Sequence, residues 1–236
     1  MRPRKLLTRI HVWIGWIVGV QILLWVASGL FMTIPSIERV RGEHLRRPPA
    51  PIAIPAGFAP RLALVPAARP IKSLGIEMRL GRPFWVIRFA DGGGALASPA
   101  SGRLLPPIGA RAALALALAD YAGAARVAGV SRVDPSRPPG DYRRDEPAWQ
   151  VRLDDGTNLY VDAGTGAVMM RRTGLWRAYD LMWGLHIMDW RGREDFNHPL
   201  LIGAAALSLA SIMAGLVLLP FTIRRRRNRH GGSAVR

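Results

Sequence analysis

Five histidines and no cysteine bound the chemistry open to this chain. Without thiols it can make no disulfide, thiolate zinc site, iron–sulfur cluster or covalent c-type haem attachment. Imidazoles remain, and two neutral ones on different helices can hold the iron of a b-type haem. Three histidines stand at the ends of apolar runs: His11, His186 and His198. These are the candidate haem-iron ligands. His44, inside Arg41-Gly-Glu-His-Leu-Arg-Arg47, and His230, in a basic tail, are poorer ones. Small residues accompany two of the three. Gly15 and Gly19 share a helical stripe with His11, and Ala205 and Ala206 lie two turns beyond His198. Such residues either make room for a porphyrin or let two helices close on one another. A boundary histidine also has a role without any cofactor, because amphipathic aromatic helices collect at membrane surfaces.

The elements that must position these histidines follow from the apolar runs. Neither Val12–Ile34 nor Pro199–Ile223 contains Asp, Glu, Lys or Arg. At about 1.5 Å per residue, each is long enough to cross a hydrocarbon core of roughly 30 Å. The net charge of +17 is concentrated beside them. Residues 1–11 carry Arg2, Arg4, Lys5 and Arg9, residues 224–236 carry six arginines, and neither segment has an acid. Basic clusters abutting apolar spans mark the cytoplasmic side, so the excess charge reads as two topology anchors and not as a nucleic-acid surface. A rival reading makes the first run a signal peptide cut near Ala27-Ser28-Gly29, leaving one C-terminal anchor.

This topology constrains the histidines. His11 opens the first span at the inner edge. His198 opens the second at the outer edge, with Asn197 as expected N-cap and Pro199 in the first turn. His186 lies in Leu175–Trp190, which as a helix gathers Trp176, Tyr179, Trp183, His186 and Trp190 on one broad face. His186 and His198 share the outer side, and His11 needs a partner from a second chain.

Between the spans, residues 35–82 hold eight prolines and read as a connector with at most one short strand. A repeat follows. Pro83-Phe-Trp-Val-Ile-Arg-Phe-Ala-Asp-Gly92 aligns without gaps on Pro147-Ala-Trp-Gln-Val-Arg-Leu-Asp-Asp-Gly156, an offset of 64 residues. The same offset carries Ser101-Gly102 onto Thr165-Gly166. Each copy, at 83–106 and 147–170, reads as strand, Asp-Gly turn, strand, second turn, strand. Ile108–Tyr121, rich in Ala and Leu, reads as a helix between them.

The second copy, through Tyr160-Val-Asp-Ala-Gly-Thr-Gly-Ala-Val168, resembles the PepSY domain. Two further phrases, His11-Val-Trp13 to Trp25-Val-Ala-Ser28-Gly29 and Leu185-His-Ile-Met-Asp-Trp-Arg-Gly192, resemble the PepSY-associated transmembrane family. Larger members of that family have four or more spans, and this chain has two. The resemblance implies a bacterial inner-membrane protein that moves electrons through haem b to ferric siderophores. It also leaves open an anchored PepSY module that binds peptide or restrains a protease, and an accessory subunit of a larger membrane complex. The expected fold is a membrane α+β protein: basic tail 1–11, span 12–34, connector 35–82, PepSY-like region 83–172, interfacial helix and loop 173–198, span 199–223 and basic tail 224–236. Both termini are expected in the cytoplasm and the centre in the periplasm. The expected partners are the lipid bilayer and either a second copy or a larger membrane subunit. No phosphate loop, HExxH or GxSxG motif occurs, and the sequence leaves enzymatic activity open.

Overall fold

The computed structural model describes the backbone of residues 3–49, 57–61 and 69–231, and the side chains of 12–49, 57–61 and 69–216. Two compact bodies emerge: Met1–Pro35 with Ala178–Arg236, and Ser36–Arg177.

Helix α1 (Pro3–Thr33) opens the first body and ends in the Pro35 region, where proline cannot continue a helix. Its stretch Val12–Thr33 is long and apolar enough to cross a membrane. After β7 (below), α4 (Gly174–His186) leads out of the second body, and α5 (Pro199–Gly231) closes the first. Its stretch Pro199–Leu216 meets the same criterion. The side chains of the expected span beyond Leu216 lie outside the described residues, as does that of His11.

The second body starts with the short α2 (Ile37–Val40), capped by the Ser36 hydroxyl. Three strands, β1 (Ile71–Arg79), β2 (Arg82–Phe89) and β3 (Gly94–Ala97), form one antiparallel sheet in that order. Helix α3 (Ala110–Asp120) follows. Then β4 (Val127–Arg132), β5 (Ala148–Leu153), β6 (Asn158–Asp162) and β7 (Val168–Arg172) form a four-stranded meander. Helix α3 lays Ala113, Leu116, Ala117 and Tyr121 on Val151, Leu153, Leu159 and Val161 of this meander. Alternate residues of β5 therefore supply the core, as a half-covered sheet requires. On the other face the buried Asp141 carboxylate accepts from the Tyr160 hydroxyl (2.5 Å), Asn158 (2.8 Å) and Arg177 (3.1 Å). Burial first, and then the bond to Asp141, push the Tyr160 phenol up, which keeps it a donor.

The 64-residue offset holds in the backbone register. Strands β2 and β3 pair Trp85 with Ala97, Val86 with Leu96, Ile87 with Ala95 and Arg88 with Gly94. Strands β5 and β6 pair Trp149 with Val161, Gln150 with Tyr160, Val151 with Leu159 and Arg152 with Asn158. Each partner of the second set is the first advanced by 64. The turn bonds repeat as well: Phe89 N–H to Gly93 O matches Leu153 N–H to Thr157 O. Gly92 and Gly156, and Gly102 and Gly166, all take the positive φ that these turns need. The bridge between Ala97 and Leu104 answers the pair Val161–Val168. Beyond it the copies part, because Pro106 and Pro107 stop a third strand in the first one.

Three expectations need correction. The expected single strand of the connector is not short: β1 is nine residues long, and it joins β2 through Leu80 and Gly81, both at positive φ. Leucine at φ 49° is uncommon in such a turn, where Asn-Gly is the usual signal. Second, the four-stranded sheet begins with β4, a strand that the repeat does not predict. Third, α4 stops at His186 and Met188 takes φ 57°, so Trp190 leaves the helical face and stands exposed in the following loop.

The equivalent indoles each donate to a backbone carbonyl, Trp85 to Arg61 (2.9 Å) and Trp149 to Ile108 (2.8 Å). Both rings are half-buried. Trp149→Ala should therefore destabilise the protein by about 2 kcal/mol, below the roughly 3–5 kcal/mol of a fully buried tryptophan. Trp149→Phe should cost about 1 kcal/mol through the unmet Ile108 carbonyl. Denaturant unfolding of the full chain in detergent checks both values, and a loss under about 0.5 kcal/mol for the alanine variant would contradict them.

Candidate functional site

Within the first body, the end of α4 meets α1 through a small set of polar contacts. The Trp25 indole donates to the His186 carbonyl at 2.7 Å. The Ser28 hydroxyl lies 2.6 Å from the Leu24 carbonyl, 3.2 Å from the Trp25 carbonyl and 3.0 Å from His186 Nδ1. Gly29 completes the contact, and a Cβ placed there would touch the His186 ring at an ordinary 3.5 Å. Two phrases that carry the family resemblance, Trp25 to Gly29 and the one around His186, thus meet side by side.

Proton counting assigns the ring. Carbonyl oxygens only accept, so the single hydroxyl proton of Ser28 goes to Leu24, the nearer of the two. Ser28 is then an acceptor toward His186, whose proton must sit on Nδ1. The Nε2 lone pair is left unused, with no partner among the described residues. An imidazole oriented by a hydrogen bond at one nitrogen and free at the other has the arrangement of a metal ligand.

The same counting gives His198 the opposite assignment. Its Nε2 lies 2.9 Å from the Ile187 carbonyl and must carry the proton, while Nδ1 accepts from the Leu201 N–H at 3.4 Å. Both nitrogens are spent. Pro199 is the first helical residue of α5, so His198, and not the expected Asn197, is the cap. The rings of His186 and His198 therefore contact different groups, although His198 binds the carbonyl of the residue following His186. His11 lies in α1 with its side chain outside the described residues.

The loop between α4 and α5 is organised by Asp189. Its carboxylate accepts backbone N–H groups from Glu194 (3.1 Å), Gly192 (2.9 Å), Asp195 (3.3 Å) and Arg191 (3.3 Å), and these bonds pull its pKa down to about 2. Arg193 pairs with the buried Asp180, and Trp183 donates to the Arg193 carbonyl at 3.0 Å. Asp180, Asp189 and Asp195 are thus engaged within the loop and its flanking helix, and no cluster of three or more His, Asp or Glu forms a metal site among the described residues.

Within the chain, a Cβ at Gly15 or Gly19 would meet open space, so no other part of the chain closes on either glycine among the described residues. Sequence reading also missed Ser28 as a partner of His186. The two are 158 residues apart, and only their shared place in the family-like phrases linked them.

Compared with family models, with curated proteins and with solved structures, the chain shows no match.

Nitrogen-15 correlation spectra with the rings neutral should show His186 protonated on Nδ1 and His198 on Nε2. Ser28→Ala should release the His186 preference and leave His198 unchanged. Like tautomers for the two residues would contradict the assignment.

Proposed function

We propose that this chain is a two-span membrane protein that anchors a PepSY-like α+β module outside the cytoplasm, and that the module is a binding unit. The observation that carries the reading is the arrangement along the chain: one folded body, Ser36–Arg177, interrupts a pair of apolar helices whose far ends are basic. The repeated register of β2–β3 and β5–β6 supports a PepSY-like plan used twice. A cleft of about 530 Å³ in the same body supports the binding role. Arg69, Asp91, Arg132, Glu146 and Asp162 line it together with the backbone of Gly92–Gly94. Charges of both signs beside accessible backbone suit a polar, extended ligand such as a peptide segment.

The basic clusters beside both apolar helices support a topology with the tails in the cytoplasm and the module in the periplasm of a bacterial cell. A reporter active only outside the cytoplasm should work when fused after Arg172, and one active only inside should work after Arg236. The opposite pattern would refute the topology.

A second reading has its own observation. His186, with Nδ1 bound to Ser28 and Nε2 without a partner among the described residues, would suit the role of an axial ligand of haem iron. Haem would supply one-electron transfer. His198 as it sits is not fit for the other position, since both its nitrogens are engaged. The intrachain His186–His198 pair expected from sequence is therefore not proposed, and a second ligand for iron at His186 must come from another chain, because His11 lies 17 residues before Ser28 on α1, about 25 Å away. With ample haem during expression, the wild type and His198→Ala should both show a Soret band, and His186→Ala should lose it. A colourless wild-type protein removes the haem reading and leaves the anchored module.

A further inference from the structure

Two buried side-chain atoms lack a hydrogen-bond partner among the described residues: Gln21 Nε2 and Ser208 Oγ. Both line the same groove of about 660 Å³ in the first body, with Trp13, Trp16 and Ile17 of α1 and Gly203 of α5 among its walls. Ser208 is only 5 % exposed. The groove is otherwise apolar, and a Cβ at Gly203 would meet open space.

Depth decides what can satisfy these atoms. This step rests on the two-span reading. Gln21 is the tenth residue of Val12–Thr33, and Ser208 the tenth of Pro199–Leu216. At about 1.5 Å per residue, each lies roughly 14 Å inside a core about 30 Å thick, near its middle. Water is absent there, acyl chains offer no acceptor, and phospholipid ester oxygens sit at the headgroup boundary. The acceptor must arrive on a molecule that itself dissolves in hydrocarbon. The amide nitrogen can only donate, and the hydroxyl can donate, so the matching group is an acceptor, and a carbonyl oxygen accepts from both without bringing a donor of its own that would need a partner in hydrocarbon. Trp16 is also in the lining of the groove, about 7.5 Å along α1 from Gln21, and an aromatic wall favours a planar ring. A partner helix would close flush on small residues, whereas a concavity within the ordinary ligand-pocket range suits an inserted molecule.

We propose that this groove binds a lipid-soluble carbonyl compound of the quinone type, held by the Gln21 amide and the Ser208 hydroxyl. The test uses the full chain in detergent, titrated with decylubiquinone and with dodecylbenzene, an apolar ring compound without a carbonyl. The quinone should bind saturably and more tightly than dodecylbenzene. Gln21→Leu and Ser208→Ala should each weaken quinone binding about fivefold, the factor for one net hydrogen bond, and leave dodecylbenzene binding unchanged. Thermal melts control for folding, and both substitutions are apolar in an apolar seam, so melting should not fall. Equal binding of the two compounds, or quinone binding indifferent to both substitutions in folded protein, overturns the proposal. So does conversion of a detergent-stable dimer to monomer by Gln21→Leu without loss of quinone binding, which would give the groove to a second copy. Alkaline carbonate extraction separates this failure from that of the topology. A chain that washes out of membranes sinks the two-span reading, and one that stays but ignores the quinone sinks only the site.

Discussion

One proton orders the centre of the first body. Ser28 has a single hydroxyl hydrogen, and the Leu24 carbonyl takes it, as serine on an apolar helix commonly does. What remains on Ser28 is acceptor capacity, and His186 fills it. Trp25, three residues earlier on α1, binds the carbonyl of the same histidine. These contacts tie the last residue of α4 to α1 at both its ring and its backbone. Everything after His186 is then local: Met188 turns at positive φ, Asp189 gathers four backbone N–H groups, and His198 returns to the Ile187 carbonyl to start α5. The loop of residues 187–198 is held by its own hydrogen bonds to Asp189, Asp195 and the Ile187 carbonyl, which fix one geometry between the two helices.

The parts of the fold that could be read in the sequence were those whose turns demand particular residues. Asp91-Gly92 and Asp155-Gly156, then Gly102 and Gly166, fix backbone shapes that few residues accept, so their spacing disclosed the two hairpins and their common register. The strands that escaped notice lack such markers. Strand β1 follows a run of prolines and ends in Leu80-Gly81, a turn whose first residue gives no signal. Strand β4 holds Gly129, where an added Cβ would press on the Arg152 guanidinium, and Ser131, neither typical of a strand. The fifteen residues between β4 and β5 then hide their pairing, since no tight two- to five-residue hairpin turn joins them.

The histidines show the opposite limit. Residue type and position at a span boundary made His186 and His198 equivalent on paper. Their difference lies in which nitrogen carries the proton, and that is set by groups distant in sequence: Ser28 for one, the Ile187 carbonyl for the other. With Pro199 as the first helical residue, His198 stands at the N-cap of α5 and its Nδ1 accepts from the Leu201 N–H. Sequence gives the inventory of donors and acceptors. Only the fold distributes them, and a ligand requires an atom left over after that distribution.

The same accounting separates anchoring from function in the apolar helices. An anchor alone has no use for Gln21 or Ser208, because leucine or alanine would serve in hydrocarbon without the desolvation cost of an unmet polar group, roughly 1–3 kcal/mol each. Ser28 shows how the fold handles a polar residue that it needs only for structure: the hydroxyl is satisfied twice within the chain. Gln21 and Ser208 are not treated so, and both open on one groove. Two uncompensated donors at matching depth on different helices are costly as scaffolding and economical as a binding site, since the ligand that meets them recovers the cost on arrival.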